Sequence, residues 1–214
     1  MNIKLFNIAL GIVLTASTIG ASAQKNYTQG IITISTDMRG QSVEAKEYFT
    51  TDSAAIAFTT GPATIKVIAD AKSTFFVVLV DVPVASIKKA AVYTPSEIEQ
   101  AMDAMPKFTF APGTDTKVIS GFKCKKVVAT DTKTKKNYDV WITNDVTVPT
   151  TGMQKYYAAI GGFPVQYTSF SEGQEASVTV SGIAVTKAPA GTFNIPADFE
   201  KISLDDLKAM RGGN

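Results

Sequence analysis

Ser86 and Lys89 stand at the S-x-x-K spacing in which a lysine can take the proton of a serine nucleophile. The S-D-N and K-T-G companions of the penicillin-recognising serine enzymes are missing, and in a chain this rich in serine and lysine one such spacing arises by chance. The chain has no histidine. That removes Ser-His-Asp and Cys-His catalysis, ordinary imidazole acid–base work and His-ligated zinc together. Glycosidase chemistry needs two carboxylates about 5–10 Å apart across a cleft, which sequence spacing alone does not establish. The acidic pairs Glu97/Glu99 and Asp205/Asp206 read as first-turn charges favoured by a helix dipole. No catalytic residue, metal ligand or cofactor is assigned, and the expectation is a nonenzymatic protein.

Cys124 is the single cysteine, so an internal disulfide is excluded and stability must come from an apolar core. It lies in a strand-like alternation with Phe122 and Val128 on its face, which predicts a small buried hydrophobe. The lysines around it would activate the thiol only if it were exposed. Lys123, Lys125, Lys126, Lys133, Lys135 and Lys136 could gather on one hairpin and meet anionic headgroups, or simply solvate it and block edge pairing. Tyr156, Tyr157, Phe163 and Tyr167 could rim a pocket or fill the core. Asn26-Tyr27-Thr28 satisfies a glycosylation sequon that a bacterial-type leader makes irrelevant.

That leader is read from residues 1–23: one early positive charge at Lys4, an apolar run from Leu5 to Ile19, and the small residues Ala21-Ser22-Ala23 at the positions a leader peptidase reads. Cleavage between Ala23 and Gln24 is expected. The run is shorter than the roughly 20 apolar residues that span a bilayer, and no cysteine follows the cut to carry a lipid anchor. The expected location is periplasmic or secreted, without ready access to cytoplasmic cosubstrates. The remaining chain carries a net charge of about +1 with interleaved signs, which argues against nucleic acid as a partner. No later run reaches transmembrane length. Residues 24–214 fall within the range of a single domain.

Strands are predicted over Tyr27–Thr36, Val43–Thr50, Ala54–Thr59 and Thr64–Ala69, with turns at Met38–Gln41, Thr51–Ser53 and Gly61-Pro62. Phe75–Val80 is apolar at every position and should be covered on both faces or line a cavity. Val82–Tyr93 reads as a short helix or a loop. Thr94-Pro95-Ser96-Glu97 has the layout of a capping box, opening a helix with Ile98, Met102 and Met105 on one face before Pro106. A hairpin follows over Val118–Thr143, its tip at Lys133–Asn137. Thr150–Gly162 is rich in turn signals, Val165–Phe170 and Ser177–Thr186 read as strands, and Ser203 caps a terminal helix carrying Leu204, Leu207 and Met210.

Ile119-Ser120-Gly121-Phe122-Lys123-Cys124-Lys125-Lys126, followed by Val140-Trp141-Ile142-Thr143, resembles a pattern found in small exported bacterial proteins of unknown function. Gly161-Gly162-Phe163-Pro164 resembles the GFP or GLPG element of such proteins, the GLPGLI group among them, although the full hexapeptide is missing. Phe193-Asn194-Ile195-Pro196-Ala197-Asp198-Phe199 is similar to their usual finish. More remotely, such proteins are similar to the LolA/LolB-like lipoprotein carriers. The resemblance implies an α+β, mostly β fold: an incomplete antiparallel barrel wrapped around one or more helices, with an apolar cavity between. It carries over no catalytic residue.

The resulting expectation is an exported protein that holds an apolar ligand, such as a lipid or lipoprotein acyl chain, in a half-barrel cavity. Phe76, Val78, Ile98, Met102 and Met105 are the candidate lining residues. The alternative is an envelope interaction module that binds a protein through a sheet edge or aromatic surface.

Overall fold

Branched and aromatic side chains suit extended backbone, and polar turns between such runs let consecutive strands pair antiparallel. A computed structural model of the protein describes residues 24–38, 41–149, 152–171 and 173–212. The expected leader and Ala23 lie outside the described residues, as do Arg39 and Gly40 of the first predicted turn. In chain order the strands are β1 (Lys25–Asn26), β2 (Gly30–Met38), β3 (Gln41–Phe49), β4 (Ser53–Thr60), β5 (Ala63–Asp70), β6 (Phe76–Val82) and β7 (Ile87–Val92). They continue with β8 (Phe108–Ile119), β9 (Phe122–Asp131), β10 (Asn137–Thr143), β11 (Val146–Thr147), β12 (Phe163–Ser171), β13 (Gln174–Ala184) and β14 (Glu200–Ile202). The helices are α1 (Pro95–Ala104) and α2 (Leu204–Gly212), with 3-10 segments at Pro83–Ala85 and Gly152–Tyr157.

Twelve strands form one open sheet in the order β14-β7-β6-β5-β4-β3-β2-β13-β12-β10-β9-β8, while β1 and β11 make a separate parallel pair. The large sheet is mixed because β14 joins β7 in parallel. The fold is therefore α+β and mostly β. Its connections force it to curl. β7 is second in the order and β8 twelfth, so on a flat sheet about 48 Å would separate them at about 4.8 Å per strand. Between them run α1, about 15 Å long, and short extended flanks of about 20 Å at most. The chain cannot reach across a flat sheet.

Strand register sorts the side chains into two faces. Ile32, Glu47, Ile56, Val67, Val78 and Ala91 stand side by side on consecutive strands. This face, here called inner, carries the largest core cluster, with Ile34, Phe49, Val140, Val165 and Val180, and a second cluster in which Val78, Val80 and Ala91 pack on Leu207 of α2. The outer face buries Ala55, Ile68, Val77, Leu79 and Ala90 beneath Phe193, Ile195 and Phe199. β6 is thus covered on both sides, which is why its sequence shows no alternation.

Gly30 sits inside β2 because an added Cβ would lie 2.4 Å from the Ala184 carbonyl oxygen and 3.0 Å from the Phe49 ring. The predicted capping box forms: the Glu97 amide donates to Thr94 Oγ1, and the Glu97 carboxylate accepts from the Thr94 amide at 2.6 Å. α1 ends at Ala104, ahead of Met105, whose extended backbone is what the following Pro106 requires. Val82–Tyr93 resolves into a 3-10 turn and a strand. β8 begins well before the predicted hairpin, and the register breaks in its middle, between Pro112 and Thr116. Cys124, Val127 and Ala129 are buried positions of β9, and Val128 is partly exposed.

Candidate functional site

The two inner-face clusters meet at β4 and β5. Ile56 and Phe58 lean on the larger cluster, Ile65 and Val67 on the one beneath α2. Ile56 pairs with Val67 and Phe58 with Ile65 across the strands, and all four keep part of their surface exposed. They form a partly exposed apolar strip where the two clusters meet.

Glu47 borders this strip, directly opposite Ile56 on β4 and Ile32 on β2. Among the described residues of β2–β6 it is the single ionisable side chain whose register falls on the inner face. Lys46 and Lys66 alternate onto the outer face. Glu47 is only 8% exposed. Burial alone pushes its carboxyl up to about 7. The buried Tyr167 is close enough to feel its charge.

The larger end of the inner face is filled by the chain itself. The segment after β11 places Tyr156, Tyr157 and Ile160 against the sheet. Tyr157 stacks on Phe108 at 5.5 Å and donates to the Thr168 carbonyl at 2.9 Å. Phe163 and Tyr167 are buried in the same core, so these aromatics pack the interior and do not rim a pocket. Burial raises the Tyr156 hydroxyl to about 12 and that of Tyr157 further. Lys155 fastens the segment to the turn after β5 through the Ala71 carbonyl and Ser73 Oγ.

Of the residues expected to line a cavity, Phe76 and Val78 lie on the inner face, with Val78 next to Val67 and packed in the α2 cluster. Phe76 meets Tyr93 edge-on at 4.7 Å. Ile98 is buried, Met105 is partly exposed and Met102 is 38% exposed on α1. The structure thus brings together Phe76 and Val78 and leaves the α1 residues on the connection between β7 and β8. Sequence reasoning missed Glu47 and the four residues of the strip. Parity could have found the carboxylate: Glu44 and Lys46 fall on the outer positions of β3, and Glu47 shares parity with Val43, Ala45 and Phe49.

Ser86 is in a left-handed turn at φ 53°, and Lys89 is bound to Glu200. Lys88 binds Asp198 at 2.6 Å. These ion pairs flank an open charged cleft of about 600 Å³ that also exposes part of Asp81. A second open cleft, about 430 Å³, lies on the outer face among Phe75, Phe193, Ile195 and Phe199. Cys124 is buried, and burial raises its thiol above the ordinary range. Lys126 pairs with Asp139 at 2.7 Å and Lys136 with Glu175 at 2.7 Å, so part of the lysine cluster is spent on internal ion pairs. No group of three or more acidic or cysteine side chains among the described residues is arranged to hold a metal. No helix among them is long and apolar enough to cross a membrane.

The fold defined here, a large open mixed sheet with two helices, recurs in solved structures. PNGF-II matches in two crystal forms, with TM-scores of 0.52 and 0.51 at 14% and 12% identity, over 85% and 86% of this chain. The match takes in only 32% and 33% of the PNGF-II chain, so this chain spans about a third of that protein. An uncharacterized conserved protein from Thermus thermophilus matches with a TM-score of 0.50 at 10% identity, over 82% of this chain and 90% of its own. At such identities the likeness is one of fold. No protein-family model matches the chain, and neither does any curated protein.

Proposed function

We propose that this protein is an exported, nonenzymatic binding protein of the bacterial envelope that holds an apolar ligand, such as an acyl chain, against the inner face of an incomplete, LolA/LolB-like barrel. One observation carries the reading: the paired residues Ile56/Val67 and Phe58/Ile65 form an apolar strip on the inner face that keeps part of its surface exposed. The occurrence of the fold as nearly a whole chain in the Thermus protein and as a third of the PNGF-II chain suits a self-standing binding unit. Each methylene of a ligand buried there contributes about 0.8 kcal/mol.

Detergent-free purification of the exported protein followed by solvent extraction and mass spectrometry tests this directly. About one amphiphile per protein chain is expected. Protein that carries none and takes up no apolar probe contradicts the reading. A second reading, an envelope interaction module, is favoured by the outer cleft of Phe75, Phe193, Ile195 and Phe199. In-cell crosslinking from position 197, on the rim of that cleft, would then trap one constant protein partner.

A further inference from the structure

We propose that the outer cleft is a second ligand site, one that takes a small aromatic carboxylate: the ring enters among Phe75, Phe193 and Phe199, and Lys201 meets the charge. The inference goes beyond the inner-face reading and does not depend on it. The cleft is open and measures about 430 Å³, within the size range of small-molecule sites. A stable protein interface buries roughly 1,200 Å² or more, so a compact concavity of this kind favours a small molecule over a protein.

The walls are built before a ligand arrives. Phe193, Ile195 and Phe199 pack over the buried outer-face residues Val77, Leu79 and Ala90. They come from one strap after β13 that holds itself in consecutive turns. The Thr192 amide donates to the Pro189 carbonyl, the Asn194 amide to that of Gly191 and the Phe199 amide to that of Pro196, each at 3.1 Å. Rings placed this way lose little freedom when another ring packs on them.

Charge selects the polar end. Lys201 is the single charged side chain among the described residues lining the cleft. It pairs with Ala90 across β14 and β7, which puts it on the outer face. It is exposed, and no hydrogen bond or ion pair holds it among the described residues. The other cation near the wall, Lys88, stands 5.9 Å from the Phe199 ring and is already bound to Asp198. The uncompensated charge of the cleft is therefore positive. A carboxylate matches it, and the Asn194 side-chain amide lines the same cleft as a further donor.

2-Naphthoate and the neutral 2-naphthamide are titrated into wild type, Lys201→Gln, Phe199→Ser and Phe58→Asp at low ionic strength, with circular dichroism to establish folding. Wild type should bind one naphthoate per chain, about threefold or more tightly than the amide, and added salt should narrow that gap. Lys201→Gln should bring the two to within about 1.5-fold and leave amide binding unchanged. Phe199→Ser should weaken both by about tenfold, and Phe58→Asp should bind both as wild type does. Equal binding of acid and amide by wild type, a preference that survives Lys201→Gln, undiminished binding by Phe199→Ser, or loss in folded Phe58→Asp overturns the assignment. So does wild type that binds neither, and a constant protein partner trapped from position 197 would then give the cleft to the interaction reading. The acyl-chain reading of the inner face stands or falls separately, on its own extraction test.

Discussion

Lys155 donates to the carbonyl oxygen of Ala71 at 2.8 Å, joining the segment that fills the inner face to the turn between β5 and β6. The bond is charge-assisted, and Ser73 Oγ shares the same ammonium. Replacement by methionine keeps the apolar stem and removes the donors. Lys155→Met should lower unfolding free energy by about 1–2 kcal/mol in urea titrations, with an unchanged m-value.

Glu47 sets a pH dependence of opposite sign to the usual acidic residue. Its folded pKa, about 7, lies above the ordinary 4.5, so its contribution to stability is intact below about pH 4.5, falls as pH rises, and levels off above about 7. Glu47→Gln should match the wild type near pH 4 and exceed it by on the order of 3 kcal/mol near pH 8. Chemical denaturation of both proteins across that range checks the difference, which cancels the titration of the other groups.

Cys124 should behave as an inert core residue. Its side chain is buried, and burial raises the thiol pKa, so the native protein should react with a disulfide reagent on the order of a hundredfold more slowly than the unfolded chain. Rapid labelling of native protein would contradict the burial.

Thr94 closes the capping box of α1. Thr94→Ala should cost about 1 kcal/mol in thermal or urea unfolding. Loss of several kcal/mol would mean that the connection between β7 and β8 depends on this cap far more than a surface helix end should.

The sheet is legible in the sequence where one face is buried and the other is wet, as at the start of β10, where Tyr138 and Val140 are buried and Asn137 and Asp139 exposed. β7 is not, because Lys88 and Lys89 are adjacent yet point to opposite faces, where Asp198 and Glu200 respectively bind them, while Ala90 and Ala91 are buried in different clusters. β8 is hidden by Pro112 and Gly113, which a central strand would exclude but an irregular edge strand accepts. The helix carrying Ile98 and Met102 shows in its spacing and its cap. Its place between β7 and the distant β8 depends on strand order, which local periodicity does not carry. The apolar strip has the same origin: Phe58 and Ile65 become neighbours only once β4 and β5 pair.

Titration of a fluorescent acyl probe into wild type, Phe58→Asp and Phe199→Ser tests the central claim most directly, with circular dichroism to establish that each variant is folded. Phe58 lies on the inner-face strip and Phe199 on the outer cleft. Saturable binding of one probe per chain in wild type and Phe199→Ser, lost by about tenfold or more in Phe58→Asp, is the predicted result. Undiminished binding by folded Phe58→Asp, or its loss in Phe199→Ser, would contradict a ligand site on the inner face.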